Sequence, residues 1–108
     1  MRLVILESPY AGNIERNIVY AREALLDSLR RGEAPLASHL LYPQVLSDAV
    51  TDDRMLGIQA GLAWGLMADA TVVYVDHGIS YGMQMGIEHA QKEGRPIEHR
   101  RLYPTELP

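Results

Sequence analysis

Two uninterrupted apolar runs of strand length constrain the fold of this chain most strongly. Residues 3–6 read LVIL and residues 70–75 read ATVVYV, with almost no alternation of polar and apolar side chains. A strand with one wet face alternates, whereas a strand covered on both faces is apolar throughout. Both segments are therefore predicted to be central strands of a sheet that has helices on each side.

Amphipathic segments separate these runs. Apolar positions step by three and four from Ile14 to Leu29, after an Asn13 that can cap a helix and before a Gly32 that can end it. A weaker strand is predicted near 35–38, where Pro35 restricts it to an edge, and a helix and a strand follow at 82–93 and 96–102. This alternation predicts an α/β protein, with one domain over 1–108 and a parallel sheet.

Composition excludes several classes of function. The 108 residues carry a formal charge of −4 and contain no cysteine. An acidic chain lacks the basic surface that binding to a nucleic-acid polymer requires, and disulfides and thiolate metal sites are impossible. The apolar run at the amino terminus is too short for a signal peptide, and no run reaches the length of a membrane span. We expect a cytoplasmic protein without membrane contact.

The segment 52–67 is unusual because it is apolar nearly all round. Thr51 is predicted to cap this helix, and Trp64 is predicted to lie in the core. A helix of this kind must be covered on most sides, which a small domain seldom achieves alone. We therefore expect a homodimer or higher homo-oligomer that pairs through the 52–67 helix. An internal helix wrapped by a long loop is the alternative.

Three loops are predicted to meet at the carboxyl edge of the sheet, where such folds bind ligands. They read ESPYAGN, SHLLYP and DHGISYG. Free N–H groups at the helix starts could hold an anion, although ordinary turn chemistry explains the same residues. Asp76 ends an apolar strand, where a carboxylate needs a partner or a function; capping the turn at Gly78 is its alternative role. The candidate ligand-binding residues are Ser8, Tyr10, Gly12, Asn13, His39, Asp76, Gly78, Ser80, Gly82 and Met83.

Metal and cofactor chemistry is not expected. The four histidines lie in separate elements and do not show the spacing of metal ligands. A Ser8, His39 and Asp76 triad can be drawn, but no nucleophile elbow accompanies Ser8.

These segments together resemble the nucleoside 2-deoxyribosyltransferase superfamily, which includes the deoxynucleoside 5′-monophosphate N-glycosidases. The resemblance covers most of the chain and rests on LESPYAGN, on SHLLYP, and on ADATVVYVDHGISYGMQMGIEHA followed by RPIEHRRL. It implies a three-layer flavodoxin-like or Rossmann-like sandwich with a mostly parallel sheet of four to five strands, paired subunits, and a nucleoside or nucleotide as ligand. Ser80 would help to hold a 5′-phosphate, and Ser8 and Tyr10 would contact the nucleoside.

The same resemblance exposes one departure. The superfamily motif S-x-G-x-x-x-E-L-G-x-A, laid over SYGMQMGIEHA, puts Gly86 where the nucleophilic glutamate belongs. Asp76 and Glu88 are the candidate catalytic carboxylates that could replace it, although position 88 points about 200° away from position 86 around a helix. The sequence therefore predicts either N-glycosidic cleavage or deoxyribosyl transfer with a relocated carboxylate, or a non-catalytic nucleotide-binding module. A structural oligomer without a small ligand is a third hypothesis.

Overall fold

The computed structural model describes residues 1–103 and contains four parallel strands and four α-helices. The strands are β1 (Arg2–Glu7), β2 (Glu33–Leu36), β3 (Ala70–Tyr74) and β4 (Ile97–Arg100). The helices are α1 (Ile14–Arg30), the short α2 (Ser38–Leu41), α3 (Thr51–Gly65) and α4 (Tyr81–Lys92), and a 3₁₀-helix (Tyr42–Gln44) follows α2. The sheet order is β2-β1-β3-β4, and every pair is parallel.

The fold is the predicted α/β type, a three-layer flavodoxin-like sandwich. Alternate side chains of β1 and β3, including Val4, Leu6 and Val72, pack with Tyr20 and Ala24 of α1 on one face of the sheet. The other face carries α4 and α3. All five residues of β3 are buried, which confirms the prediction that this apolar run is covered on both sides. Each aliphatic side chain buried in this way contributes about 1.5–3 kcal/mol to folding.

Local signals set most element boundaries correctly. The Asn13 side chain accepts a hydrogen bond from the Arg16 amide at 3.2 Å, so Asn13 is the predicted cap of α1. Gly32 follows α1 with a φ of +86°, which favours glycine. Strand β2 begins and ends two residues earlier than predicted, and it is an edge strand, as Pro35 requires.

The predictions for α3 need correction. Thr51 is its first residue and not its cap, since Val50 precedes the helix without a side-chain hydrogen bond. The helix ends at Gly65 rather than at residue 67. Trp64 is not in the core: it is 52% exposed and donates its indole N–H to the Tyr42 hydroxyl at 2.8 Å. Helix α3 contacts α2, α4 and β1, and its Leu56 and Trp64 side chains are more than half exposed in the single chain.

No helix within residues 1–103 has the length and apolar character needed to cross a membrane.

A buried ion-pair network joins three of the strands to α1. The Glu33 carboxylate, whose side chain is 7% exposed, accepts from Arg100 at 2.7 and 2.8 Å, from Arg2 at 2.8 Å and from Ser28 at 2.8 Å. The Arg100 guanidinium is the main cause that lowers the pKa of Glu33 to about 2. Because the folded pKa is lower than that of an unfolded glutamate, this carboxylate stabilises the fold above about pH 4.5. The contribution is lost as the pH falls toward 2.

We predict that Glu33→Gln lowers the free energy of unfolding at pH 7 by about 3 kcal/mol, because it removes the buried anion of Arg100 and leaves it only the half-exposed Glu98. Urea denaturation at pH 7 and at pH 3 measures this loss, which should be smaller at pH 3. Glu98→Gln is the matched control, since Glu98 bonds the same two arginines but its side chain is 40% exposed. The control should lose less than about 1 kcal/mol. Equal losses in the two variants would contradict the buried network.

Candidate functional site

The sheet order creates a crevice at the carboxyl edge between β1 and β3. The chain leaves β1 toward β2 on one side and returns to β3 on the other, so the connections diverge at this point. In open parallel sheets such a switch point is where ligands bind. A cavity of about 610 Å³ lies here, bounded by the end of β1, the segment around α2, the inner side of α3 and the start of α4. Its volume is within the range of small-molecule sites.

Glu7 lies at the floor of this cavity. It is the last residue of β1, and its side chain projects to the α4 face of the sheet. The carboxyl occupies the space above Gly86: a Cβ built on Gly86 would overlap a Glu7 carboxyl oxygen and lie 2.6 Å from Cδ. Gly86 is therefore required for this close approach of strand and helix, and its lack of a side chain accommodates an acidic group from another element.

The surroundings of Glu7 favour its neutral form. Burial raises the pKa of the Glu7 carboxyl to about 8, and the Arg95 guanidinium lowers this pKa only in part. No hydrogen bond within residues 1–103 reaches the carboxyl to stabilise its charge. A carboxyl with a raised pKa in a cleft is typical of an acid or base group in a functional site. Glu7 is thus a polar group in the cavity lining without a hydrogen-bonding partner among residues 1–103.

Ser8 and His39 form a second polar feature of the cavity. The Ser8 hydroxyl and the His39 Nε2 are joined by a hydrogen bond of 2.6 Å. Burial lowers the pKa of His39 to about 4, so the imidazole is neutral at physiological pH. His39 lies in α2, directly after the edge strand β2, and Ser8 follows β1. Adjacent strands therefore deliver these two residues to the same edge, as the sequence predicts for parallel strands.

The start of α4 forms a third wall. The Ser80 hydroxyl accepts the Met83 amide at 3.3 Å and caps the helix. Ser80, Gly82 and Met83 all line the cavity. The free N–H groups and the positive end of the helix dipole thus lie beside the space a ligand would fill.

The inner side of α3 is a row of glycines that sequence reasoning missed. Gly57, Gly61 and Gly65 recur every four residues and therefore lie on one side of the helix. A Cβ on Gly61 would be 2.6 Å from the Ser38 hydroxyl, and one on Gly65 would be 2.8 Å from a nitrogen of Arg95. These glycines let α3 approach α2 and the Arg95 side chain closely. The four-residue spacing was visible in the sequence and could have identified this side.

Of the predicted ligand-binding residues, six line the cavity: Ser8, Tyr10, His39, Ser80, Gly82 and Met83. Three others belong to turns outside the cavity lining. Asn13 caps α1, and Gly78 has a φ of +83° in the loop before α4. Gly12, with a φ of +98°, likewise serves the loop after β1 and is not part of the lining.

The candidate catalytic carboxylates from the sequence lie elsewhere. Asp76 accepts the Tyr20 hydroxyl at 2.6 Å and the amides of Leu102 and Tyr103 at 2.8 and 3.1 Å. These bonds occupy both of its oxygens and hold the segment after β4, outside the cavity. The Ser8, His39 and Asp76 triad is therefore not assembled. Glu88 is exposed on the outer side of α4, as its rotation from position 86 indicates.

Glu7 is the site residue that the sequence interpretation did not select. The reason given for Asp76, a carboxylate at the end of an apolar strand, applies equally to Glu7 at the end of β1. Sequence alone could not show that its side chain reaches the gap at Gly86, because strand and helix meet only in the folded chain. No group of three or more potential metal ligands occurs within the part of the chain that the structure describes.

Comparison with known families gives one match. Residues 2–100 match a family model described as a domain of unknown function, DUF7768. No curated protein matches the chain.

The contact between Glu7 and Gly86 makes a testable prediction. Gly86→Ala should destabilise the protein by about 1–3 kcal/mol, because the new methyl group overlaps the carboxyl. In a Glu7→Ala background the same change should stabilise it by up to about 1 kcal/mol, since alanine is the better helix former. Urea denaturation of the four proteins gives the coupling energy.

Gly82→Ala is the matched control for this cycle, because a Cβ at Gly82 of the same helix meets nothing within 4 Å. Its effect should be the same with and without Glu7. A Gly86→Ala effect that is likewise independent of Glu7 would show that the two groups do not touch.

Proposed function

The chain belongs to the DUF7768 family, whose function is unknown, and we propose that it acts on nucleosides or nucleotides in the cavity at the carboxyl edge of its sheet. The proposed reaction is cleavage or transfer of the N-glycosidic bond of deoxynucleosides or their 5′-monophosphates. Glu7 supplies the carboxylate of this reaction.

The position of the Glu7 carboxyl above Gly86 carries this proposal. The resemblance to the 2-deoxyribosyltransferases places a nucleophilic glutamate at position 86, and Gly86 removes it. Glu7 brings a carboxyl into the same volume from β1. A charge that stabilises an oxocarbenium-like centre must be at the right place, and which element delivers it is immaterial. The Glu7 carboxyl can therefore replace the glutamate that is missing at position 86.

Glu7 acts in its ionised form in this mechanism. The bond between the anomeric carbon and the base nitrogen breaks, while a carboxylate oxygen bonds to the anomeric carbon and the base departs with a proton from solvent. Water then releases deoxyribose, or a second base takes the sugar, and Glu7 is regenerated. Because burial raises the pKa of Glu7 to about 8, the ionised fraction and the rate should increase with pH through this value.

The remaining cavity residues suit the rest of such a ligand. Tyr10 and Tyr42 line the cavity and offer aromatic faces for a base. Ser80 and the start of α4 suit a hydroxyl or phosphate group at the other end of the sugar. The neutral pair of Ser8 and His39 adds hydrogen-bonding capacity beside Glu7.

The raised pKa of Glu7 also favours a second function, a non-catalytic nucleotide-binding module that senses or sequesters its ligand. A neutral carboxyl both donates and accepts hydrogen bonds, so it can pair with the edge of a base without breaking a bond. Turnover distinguishes the two functions.

We predict that the protein releases free base from a panel of deoxynucleosides and their 5′-monophosphates, measured by chromatography. Glu7→Gln should reduce the rate at least about 100-fold, because the amide cannot bond to or stabilise the sugar cation. Glu88→Gln removes an equal charge from the outer side of α4 and should keep the rate. The wild-type rate should rise from pH 6 to pH 8.5.

Undiminished base release by Glu7→Gln would reject the assignment of Glu7. A rise in melting temperature with a nucleotide but no released base would instead support the binding module. A ligand at 100 times its dissociation constant adds about 2.7 kcal/mol of stability, which such a melting experiment detects.

We also propose that a second copy of the chain covers the outer side of α3. Leu56 and Trp64 of α3, and Leu66 and Met67 directly after it, are each more than half exposed, an unusual concentration of large apolar side chains on a small domain. Pairing through this side would enclose α3, which forms one wall of the cavity. The proposed assembly agrees with the paired subunits that the resemblance implies.

Leu56→Glu should dissociate this assembly without unfolding the chain, since Leu56 is 56% exposed in the single subunit. Analytical ultracentrifugation measures the mass. Leu29→Glu is the matched control, because Leu29 is 49% exposed but lies on α1, on the opposite face of the sheet. A wild-type protein that sediments as a monomer would disprove the proposed pairing.

A further inference from the structure

Arg95 is a buried cation in the wall of the cavity, and neither the resemblance nor the proposed reaction assigns it a role. It lies in the turn before β4, its side chain is 6% exposed, and it lines the same cavity as Glu7. A buried guanidinium is costly unless its donors are satisfied and its charge is compensated. The contacts of Arg95 therefore indicate what its charge does.

Four contacts fix the position of the guanidinium. Its Nε donates to the Thr71 hydroxyl at 3.0 Å, and its Nη1 donates to the Gly65 carbonyl at 2.6 Å, at the negative end of α3. Nη1 also pairs with the Glu93 carboxylate. The fourth contact is steric, since Arg95 fills the space that a side chain at Gly65 would take. The Arg95 guanidinium thus fills the space beside Gly65, and the Glu7 carboxyl, which can carry the opposite charge, fills the space beside Gly86.

Glu93 competes with Glu7 for this positive charge. Its hydrogen bond with Arg95 is the main cause that lowers the pKa of Glu93, and its second oxygen pairs with His89 Nε2 at 2.9 Å. Glu7 has no such bond and receives only the longer-range field of Arg95. The Arg95 guanidinium therefore pairs directly with Glu93 and acts on Glu7 only at longer range.

We infer that Arg95 is a positioning residue that sets the protonation state of Glu7, and that its ion pair with Glu93 limits how strongly it does so. The structure holds Arg95 against Glu93, whereas the Glu7 carboxyl makes no ion pair with any residue in 1–103. Any change that weakens the pair between Arg95 and Glu93 transfers positive field to Glu7 and favours its carboxylate. Arg95 acts through Glu7 and needs no contact with a substrate.

Other ionisable groups line the same cavity from the surrounding elements. His39 comes from α2, Asp48 from the segment before α3, Asp53 and Arg54 from the first turn of α3, and Tyr10, Tyr42 and Tyr81 from the cavity rim. No charged side chain of α4 lines the cavity. Among these groups, Arg95 is the cation whose charge lowers the pKa of the Glu7 carboxyl.

The test measures the titration of Glu7 directly in the whole protein. Carboxyl-carbon NMR of protein labelled with ¹³C-glutamate follows each side chain with pH, and the Glu7 signal is identified by its loss in Glu7→Gln. Glu93→Gln should lower the Glu7 midpoint by about one pH unit, because Arg95 is then free to compensate Glu7. Arg95→Gln should raise this midpoint. Glu15→Gln, which removes an equal charge from an exposed site on α1, should leave it unchanged.

Glu93→Gln is the deciding variant, because it retains the bonds of Arg95 to Thr71 and Gly65. A Glu7 midpoint that stays in place or moves upward in this variant overturns the inference. The consequence for catalysis rests on the proposed function: the pH profile of base release should move with the midpoint. If the midpoint moves and no base is released, the inference holds and the proposed reaction fails. If base release needs Glu7 but the midpoint does not move, the proposed reaction holds and the inference about Arg95 fails.

Discussion

The contact of the Glu7 carboxyl with the bare backbone of Gly86 is the interaction on which the site depends. It links the end of the central strand β1 to the middle of α4, and it requires the helix to lack a side chain at that one position. A buried carboxyl without hydrogen bonds is costly. A protein that keeps such a group at the floor of a cavity accepts lower stability there, which is characteristic of functional sites.

The rest of the cavity follows from the way the sheet is covered. Strand β3 is buried on both faces, whereas β1 is buried on its α1 face and only partly covered on the other, where Leu3 is exposed and Ile5 half-buried; α1 therefore lies on one face of the sheet and α3 and α4 on the other. The chain diverges between β1 and β3, and the ends of β1 and β2 present Glu7, Ser8 and His39 to one space. The glycine row on α3 brings that helix close enough to close the cavity. The same arrangement leaves the outer side of α3 apolar and uncovered.

The two faces of the sheet provide different surroundings for a buried glutamate. On the α1 face, Glu33 is fully paired with Arg100, Arg2 and Ser28, and its pKa is lowered to about 2. On the α4 face, Glu7 has no hydrogen-bonding partner in the described part of the chain, and burial raises its pKa to about 8. Glu33 at the start of β2 and Glu7 at the end of β1 thus have pKa values shifted in opposite directions, the first by ion pairs and the second by burial.

The sequence by itself determined the class of fold and most element positions. Apolar runs without alternation specified the central strands, the periodicity and Asn13 specified α1, and Pro35 specified an edge strand, because these signals are local in the chain. Parallel strands also bring their carboxyl ends to one edge, so Ser8, His39 and Ser80 could be placed together in advance. The exposure of Trp64 could not be inferred, since the apolar pattern of α3 does not reveal which side meets the domain.

Only the tertiary structure decided which carboxyl group serves the cavity. Asp76 and Glu7 each end an apolar strand, and nothing local distinguishes them. Asp76 meets Tyr20 and the amides after β4, which satisfy its charge, whereas Glu7 meets the gap at Gly86. The partner of a buried charge comes from residues distant in sequence, so its environment, and with it its protonation, is fixed only when the elements pack.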